Sequence, residues 1–359
     1  MNKILVAMKC MLLAIFSSLF LIPAHAAEDL LIFPEIRALR IDDNASNPSD
    51  TFATIDFFGS ARYGQIRLLG EVFVSESNID GERLQIGYDF TPLTTIWFGR
   101  YHNPLGYWNT QYHHGTYLQT SISRPEIAEL EHNGGLFPSH TTGLLLETSH
   151  NINSDGALDF SFAAGTSPML RQDNEQGSTD LVLHPMEIFN PGKGEHKLNL
   201  TARMAYRPDT TYNNQLGAFA SQVEIAVSDS IVNTIDLSIA GLFAYWEKQN
   251  LSIYSSLFFV RDSIDSGITR NKGSFNSGYI QLDYLLQDDW TLFGRAENTY
   301  GKTGDPYLAL MQNFSYEAQV AGIRWDITHK QALKLEVSRK QRMNGEFTTT
   351  ILNWTAIFP

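Results

Sequence analysis

Cysteine is almost absent from this chain, and the one copy lies near its start. Cys10 falls within residues 1–26, where Lys3 and Lys9 precede a short apolar stretch, residues 11–22, and the small residues of Ala24-His25-Ala26 follow it. This layout predicts a secretory signal peptide cleaved after residue 26. The mature chain, residues 27–359, then has no cysteine. That excludes a disulfide framework, a Cys-ligated metal and a thiol nucleophile.

Basic residues and long apolar runs are also scarce. Loss of Lys3 and Lys9 leaves 24 basic and 39 acidic residues, a net charge of −15. Such a charge disfavours nucleic acid as a partner. After residue 26 no stretch approaches 18 consecutive apolar residues, so we expect no second spanning helix. Hydrophobic residues still make up 43% of the chain, which is too many for a disordered protein.

The pattern that fills the mature chain is strict alternation. Leu84, Ile86, Tyr88 and Phe90 alternate with Arg83, Gln85, Gly87 and Asp89. The stretches 66–74, 197–207 and 333–338 read in the same way. A period of two over about 9–12 residues predicts strands with one apolar and one polar face.

The predicted strands are numerous, and the connections between them differ in length. About 16 strands are expected, within a range of 14–18. Many connections are short and polar, whereas residues 102–140 and 166–194 form long excursions. Short turns at one end and long loops at the other are typical of an antiparallel transmembrane β-barrel, with turns in the periplasm and loops outside the cell. The predicted fold class is therefore all-β, with residues 27–359 forming one outer-membrane barrel domain.

A soluble sandwich would alternate too, but three features favour the barrel. The polar face carries charge on many separate strands, which suits a wet lumen. The strands are long enough to cross a bilayer when tilted. Aromatic residues also cluster near strand ends, as interfacial girdles do; examples are Tyr88 with Phe90 and Trp290 with Phe293.

The last strand carries a resemblance to a known family. "ILNWTAIFP" places Leu352, Trp354, Ala356 and Phe358 on one face, followed by Pro359. This resembles the C-terminal signal of bacterial outer-membrane barrels, which the barrel-assembly machinery recognises. The whole mature chain resembles Gram-negative outer-membrane porins in length and layout. "WFGRYHNPLG", residues 97–106, is similar to a strand-to-loop passage of phosphate-selective-type porins.

The resemblance implies a function and a set of partners. A porin forms a water-filled channel for passive diffusion of small hydrophilic solutes or ions, sits in outer-membrane lipid and lipopolysaccharide, and commonly forms homotrimers. Ala218, Ala220 and Ala240 are small lipid-facing residues that suit close packing of copies. We expect no cofactor and no nucleic acid as a partner. A structural or adhesive barrel with a plugged lumen and, less favoured, an outer-membrane hydrolase remain as alternatives.

The candidate constriction loop is residues 102–140. In porins a long early loop folds into the barrel and narrows it, so the resemblance implies this role for the segment. Its carboxylates would face arginines on the wall and create a transverse field. Arg100 is ambiguous by alternation, but a bulge at Gly99 would turn it into the lumen. The predicted pore-lining and constriction residues are Arg67, Glu71, Arg83, Arg100, His102, His113, His114, Arg124, Glu126, Glu129, Glu131, Arg203, Arg295 and Glu297.

The histidines of this segment do not form a recognisable metal or catalytic pattern. His113 and His114 are adjacent, so in an extended chain they point to opposite faces. Helical His-x-x-x-His spacing is absent, and no set of imidazoles is placed to converge on one ion. Ser139-His140 alone does not define a triad, because a nucleophile and its base are recognised by geometry. We therefore expect no metal and no enzyme activity.

Overall fold

The computed structural model describes residues 27–43, 48–76, 79–112, 115–131, 134–172, 181–188, 192, 194–228 and 232–359. The predicted signal peptide, residues 1–26, lies outside the described residues, as do His113 and His114. No helix among the described residues is both long and apolar enough to cross a membrane.

The described part of the chain forms eighteen strands in one sheet. They are β1 (Ala27–Asp42), β2 (Ser49–Tyr63), β3 (Ile66–Ser75), β4 (Ile79–Thr91), β5 (Thr94–His102), β6 (His140–Asn151), β7 (Ala157–Thr166), β8 (Met169–Gln172), β9 (Leu181–His184), β10 (Leu198–Arg207), β11 (Gln215–Val227), β12 (Thr234–Lys248), β13 (Leu251–Asp265), β14 (Arg270–Gln287), β15 (Trp290–Tyr300), β16 (Glu317–Thr328), β17 (Gln331–Arg342) and β18 (Gly345–Ala356).

Sixteen of the described strands close into an antiparallel barrel. Neighbours in sequence pair from β1 to β7, β7 pairs with β10, and pairing then runs in order to β18. The barrel closes where β18 pairs with β1, from Glu35 opposite Thr355 to Asp42 opposite Thr348. Closure leaves none of these sixteen described strands at an open edge. The predicted fold class and strand number are confirmed.

Strands β8 and β9 form a hairpin outside this cycle. They pair with each other, and Met169 of β8 also lies opposite Ala226 of β11 in a short parallel contact. The hairpin belongs to the connection between β7 and β10, which the sequence marks as a long excursion.

The polar stretch 262–273 lies mostly in strands, since β13 ends at Asp265 and β14 begins at Arg270.

The two ends of the barrel differ sharply. One end, called here the turn end, carries the connections 64–65, 92–93, 152–156, 208–214, 249–250, 288–289 and 329–330. The other, called the loop end, carries the three long connections 103–139, 167–197 and 301–316. This asymmetry is the one that the sequence predicts.

The outer face of the barrel is apolar and the inner face is mixed. Along β14, Ile280, Leu282 and Tyr284 are exposed, whereas the alternating Gln281 and Asp283 are buried. A soluble protein would show the reverse arrangement. Because exposed side chains are apolar and buried ones polar, this wall suits a hydrocarbon exterior.

Aromatic rings mark the turn end of this exterior. The rings of Trp290 and Trp325 are stacked with their centroids 5.4 Å apart, and those of Tyr88 and Phe90 meet edge to face at 5.0 Å. Both pairs lie within a few residues of short turns. Amphipathic rings at this level are suited to the boundary between lipid and water.

Candidate functional site

Connection 103–139 begins where two strands leave the wall. Pairing between β4 and β5 ends at Leu84 opposite Arg100, and pairing between β6 and β7 ends at Gly143 opposite Gly165. β5 and β6 nevertheless stay paired with each other as far as His102 opposite His140. At the loop end, residues 101–102 of β5 and 140–141 of β6 therefore form a separate two-stranded segment, called here the neck, that carries the connection.

Glycines make this departure possible. Gly99 lies opposite Gly143, which lies opposite Gly165, so one rung of three strands lacks side chains. Gly99 has φ +129°, and a Cβ there would lie 2.0 Å from the carbonyl oxygen of Leu84. A side chain at this position would clash with the backbone of β4. The sequence therefore needs glycine where the neck separates from the wall.

The connection contains short pieces of regular structure. Helix α1 spans Trp108–Gln111, and 3₁₀ turns span Thr116–Leu118 and Glu126–Ala128. Asn109 closes its base, because its side-chain amide donates to the carbonyl oxygens of Asn103 and Ser139 at 2.7 and 3.0 Å. Opposite ends of the connection are thereby tied together. We call residues 103–139 the inserted loop.

Aromatic packing holds the first part of the inserted loop against β12–β14. The ring of Tyr107 stacks on that of Tyr245 with centroids 4.9 Å apart, and the hydroxyl of Tyr112 donates to that of Tyr254 at 3.1 Å. Trp108 is 1% exposed. Buried aromatic contacts of this kind contribute strongly to packing. This side of the barrel is therefore filled by an apolar core.

A second connection, 301–316, completes that core. Its Tyr307, Leu308, Met311 and Phe314 belong to the same buried cluster as the inserted loop. The hydroxyl of Tyr307 donates to the carbonyl oxygen of Leu136 at 2.5 Å. The inserted loop is thus covered from the loop end, and its position is fixed on two sides.

Charged side chains of β16 and β17 bind the backbone of the loop tip, residues 115–123. The Lys334 ammonium donates to three tip carbonyls, including that of Gln119 at 2.6 Å. Arg324 donates to the carbonyls of Tyr117 and Gln119 at 2.7 and 3.0 Å. Glu336 accepts the backbone N–H of Ile122 at 2.7 Å. Backbone groups that a loop cannot satisfy internally are thus paired by the wall.

Arg295, one of the predicted pore residues, acts in the same way. Its guanidinium donates to the carbonyls of Ser123 and Arg124 at 3.0 and 2.9 Å and pairs with Glu297 at 2.7 Å. Glu297 in turn accepts the backbone N–H of Glu126 at 2.7 Å. Both side chains are buried and bind backbone groups of the inserted loop, so they hold the loop in place.

The tip also reaches the first two strands. Thr116 donates its hydroxyl to Glu35 of β1 at 2.8 Å, and the backbone N–H of Gly115 donates to Asp56 of β2 at 3.2 Å. The Tyr117 hydroxyl donates to the carbonyl of His329, in the short turn 329–330, at 2.7 Å. The tip therefore extends through the barrel to its turn end.

The predicted loop carboxylates have individual partners. Glu126 is buried in an ion pair with Lys340 of β17. Burial alone would raise the pKa of Glu126, but the Lys340 charge and its hydrogen bond hold that pKa below its usual value. Glu129 is half-buried and accepts the backbone N–H of Leu130 at 2.9 Å.

Glu131 is the most enclosed of these carboxylates, with 0% exposure. It pairs with the His140 ring at 2.8 Å, accepts the His140 backbone N–H at 2.9 Å and accepts the Ser139 hydroxyl. Burial would raise the pKa of Glu131, but the His140 charge and these hydrogen bonds outweigh it and lower the pKa. His140 also contacts Glu82 of β4 at 2.7 Å. Glu131 therefore joins the loop to its neck.

Arg124 folds back on the loop itself. Its guanidinium donates to the carbonyls of Ala128 and Tyr112 at 2.9 and 3.0 Å, and to Asn109 at 3.3 Å. Burial lowers the pKa of this side chain below its ordinary value. Its position crosslinks the two halves of the loop.

The wall residues Arg67, Glu71 and Arg83 lie on β3 and β4. Arg67 pairs with Asp89 at 2.8 Å, and Arg83 pairs with Glu71 at 2.6 Å. Arg62, which sequence reasoning did not include, also binds Asp89 at 2.8 Å. These arginines are therefore tied to carboxylates of the wall, while Glu126 and Glu131 are tied to Lys340 and His140.

The remaining predicted residues are buried near the neck or on β10. Arg100 donates to the carbonyl of Met186 at 3.3 Å. The His102 ring lies 3.5 Å from Glu71 and meets the ring of His140 edge to face at 5.3 Å. Arg203 donates to Gln215 at 2.7 Å and lies over the ring of Phe243. Their role in lining the pore stays a prediction.

Sequence reasoning missed the anchors of the loop tip. Lys334 and Glu336 lie on the polar face of a recognisable strand, and Asp56 lies on another. Alternation places them inside the barrel, but it does not say which loop they bind. Among the described residues, no group of three or more His, Cys, Asp or Glu side chains is arranged to hold a metal ion.

This fold is similar to that of solved outer-membrane porins and channels. The chain is similar to an anion-selective porin from Comamonas acidovorans, with TM-score 0.62, 11% identity, and 93% of this chain and 100% of that one covered. It is also similar to OmpF of Salmonella typhi, with TM-score 0.60, 12% identity and 92% and 97% coverage.

A third similar structure is the outer-membrane channel DcaP of Acinetobacter baumannii, with TM-score 0.59, 12% identity and 93% and 97% coverage. No family model matches the sequence, and no curated protein matches it either. At these identities the likeness shows the fold, and the function must be argued from the chain's own residues.

Proposed function

We propose that this protein is a porin, a water-filled channel for passive diffusion of small hydrophilic solutes or ions. The observation that carries the proposal is the inserted loop, which wall charges hold inside a closed barrel with an apolar exterior. A barrel of 16 strands is wide enough for an aqueous bore. Its structural neighbours include an anion-selective porin and an outer-membrane channel, which supports this proposal.

We propose that residues 102–140 form the constriction of this channel. The loop packs against β12–β17 and β1 and reaches β2 only through Asp56, so solutes would pass on the side formed by the rest of β2 and by β3–β7. Leu118, at the loop tip, is 41% exposed although the tip lies inside the barrel. We place this side chain beside the passage.

A single introduced cysteine tests the proposal, because the predicted mature chain has none of its own. In Leu118→Cys, a charged thiol reagent should reduce single-channel conductance in planar bilayers. Leu242→Cys, on the exposed outer face, is the matched control and should not respond. If wild-type protein gives no conductance, the protein is a plugged structural or adhesive barrel. If wild-type protein conducts but neither variant responds to the reagent, Leu118 does not lie beside the passage.

We propose the outer membrane of a Gram-negative bacterium as its location. The signal peptide, residues 1–26, would direct export, and the strand that ends near Phe358 would be recognised by the barrel-assembly machinery. Lipid and lipopolysaccharide would surround the barrel. We propose no enzyme activity and no cofactor.

We propose a homotrimer because the outer face of the barrel carries a patch of small residues. Ala220 lies opposite Ala202 and Ala240, so three neighbouring strands present a flat outer patch. Flat surfaces of small residues allow barrels to approach closely. Light scattering in mild detergent should give the mass of three chains, and the mass of one chain would refute the trimer.

A further inference from the structure

The arginine–carboxylate pairs on β2, β3 and β4 expose their arginines and cover their carboxylates. Side-chain exposure is 52% for Arg62 and 36% for Arg67, but 3% for Asp89, which both arginines bind. Arg83 is 13% exposed, and its partner Glu71 is 0% exposed. A solute that touches these pairs therefore meets guanidinium groups, although the chain as a whole is acidic, with a net charge of −13.

Phenyl rings lie beside these guanidinium groups. The guanidinium carbon of Arg83 is 5.2 Å from the ring centroid of Phe58, and that of Arg37 is 5.3 Å from Phe52. Both rings are half-buried. A guanidinium group at this distance is attracted electrostatically to the ring face. The wall thus combines positive charge with apolar surface.

The loop tip adds apolar surface rather than negative charge. Leu118 is its exposed large hydrophobic side chain, whereas Glu126 and Glu131 are buried in ion pairs with Lys340 and His140. Paired and buried carboxylates contribute little net field at a distance, because the partner charge cancels most of it. The transverse field predicted from the sequence would therefore be weak on the loop side.

From this arrangement we propose that the channel favours small organic anions, in which a carboxylate or sulfonate is attached to an aromatic or other apolar body. The anionic group would move along Arg62, Arg67 and Arg83, while the apolar body contacts Phe58 and Leu118. This selectivity rests on the proposed porin function, since it requires an open passage. It distinguishes such solutes from cations and from anions without an apolar body.

Reversal potentials and current block test the proposal with wild-type protein in planar bilayers. Under a potassium chloride gradient, the reversal potential should show preference for chloride. Benzoate should reduce the chloride current more than acetate at equal concentration, and benzylammonium should have little effect. A preference for potassium, or equal effects of benzoate and acetate, would overturn the selectivity.

Two variants connect the effect to the named residues. In Arg67→Gln, Asp89 keeps its pair with Arg62, and the chloride-to-potassium permeability ratio should fall about twofold. Leu118→Glu places a carboxylate on the exposed tip and should lower the same ratio and weaken the benzoate block. Arg339→Gln removes an exposed arginine outside the lumen and should change neither quantity.

The outcomes separate this proposal from the one on which it rests. If wild-type protein conducts but Arg67→Gln behaves like Arg339→Gln, the arginine wall does not select solutes and the inference is wrong. If wild-type protein does not conduct, the porin function itself fails. Heat-dependent gel migration of each variant shows whether it is folded, and Leu118→Glu supplies a second measurement at a surface-exposed position.

Discussion

Among single residues, Glu131 has the clearest dependence on pH. Its pKa is lower in the folded protein than in a free side chain, so its ionised form stabilises the contact with the neck. That stabilisation is complete above the unfolded pKa of about 4.3 and is lost as pH falls through the lower folded value. Glu82 of β4 and Arg100 of β5 also face His140.

Replacement Glu131→Gln should loosen the loop base at neutral pH. Removing one member of a buried ion pair costs about 3–5 kcal/mol. Protection factors of residues 134–140 against hydrogen exchange should therefore be lower in the variant near neutral pH, and they should fall less on acidification than in wild-type protein.

Glu195→Gln is the matched control, because Glu195 is an exposed carboxylate paired with Lys197 in another connection. Its exchange in residues 134–140 should equal that of the wild type. If Glu131→Gln also equals the wild type, the carboxylate does not hold the loop base.

On the scale of elements, β17 carries the strongest anchor of the loop tip. Lys334 is 1% exposed and donates to three carbonyl oxygens of the loop. Lys334→Met leaves those carbonyls with fewer donors, at a cost of about 1–3 kcal/mol for an unsatisfied buried group. The tip should then fluctuate, and single-channel recordings should show greater open-channel noise.

The control for this change is Lys248→Met. Lys248 is exposed at the end of β12, where its loss removes a charge without touching the loop tip. Quiet recordings from Lys334→Met, indistinguishable from those of the control, would mean that Arg324 and Glu336 suffice to hold the tip.

The strands were predictable from sequence because each must present one apolar face to lipid. Leu84, Ile86 and Tyr88 repeat with the strand period, and the structure exposes all three. The partners of Lys334 or Glu131 were not predictable in this way. Their contacts join residues far apart in the chain, and a two-residue period carries no information about which loop meets which wall.

The sequence pattern also could not predict that one side of the barrel interior is filled. Phe219, Phe243 and Phe258 alternate with other apolar residues, so neither face of β11–β13 reads as clearly polar. In the structure these rings face inward and pack with Phe137 of the loop. An apolar lining is compatible with a barrel interior only where another segment covers it.

For the molecule as a whole, closure of the barrel is the central event. Beyond the β1–β18 ladder, Ile32 and Phe358 form a further bridge, with hydrogen bonds of 2.8 and 2.9 Å in the two directions. Removal of Phe358 and Pro359 deletes this bridge and the predicted assembly signal. We expect a smaller fraction of heat-modifiable, folded barrel on gels run without boiling.

Removal of Pro359 alone separates the two contributions, because Phe358 and its bridge remain. This shorter truncation should fold like the wild type. Equal folding of both truncations would show that the β1–β18 ladder closes the barrel without the terminal aromatic residue.

The loop tip also touches both sides of the seam where the chain's first and last strands meet. It binds Glu35 of β1 and Asp56 of β2 on one side, and Lys334 and Glu336 of β17 on the other. During biogenesis the tip can therefore act as a template that brings the two ends of the sheet into register. Entry of the loop would then precede sealing, and a barrel that closed around an empty bore would be a misassembled product.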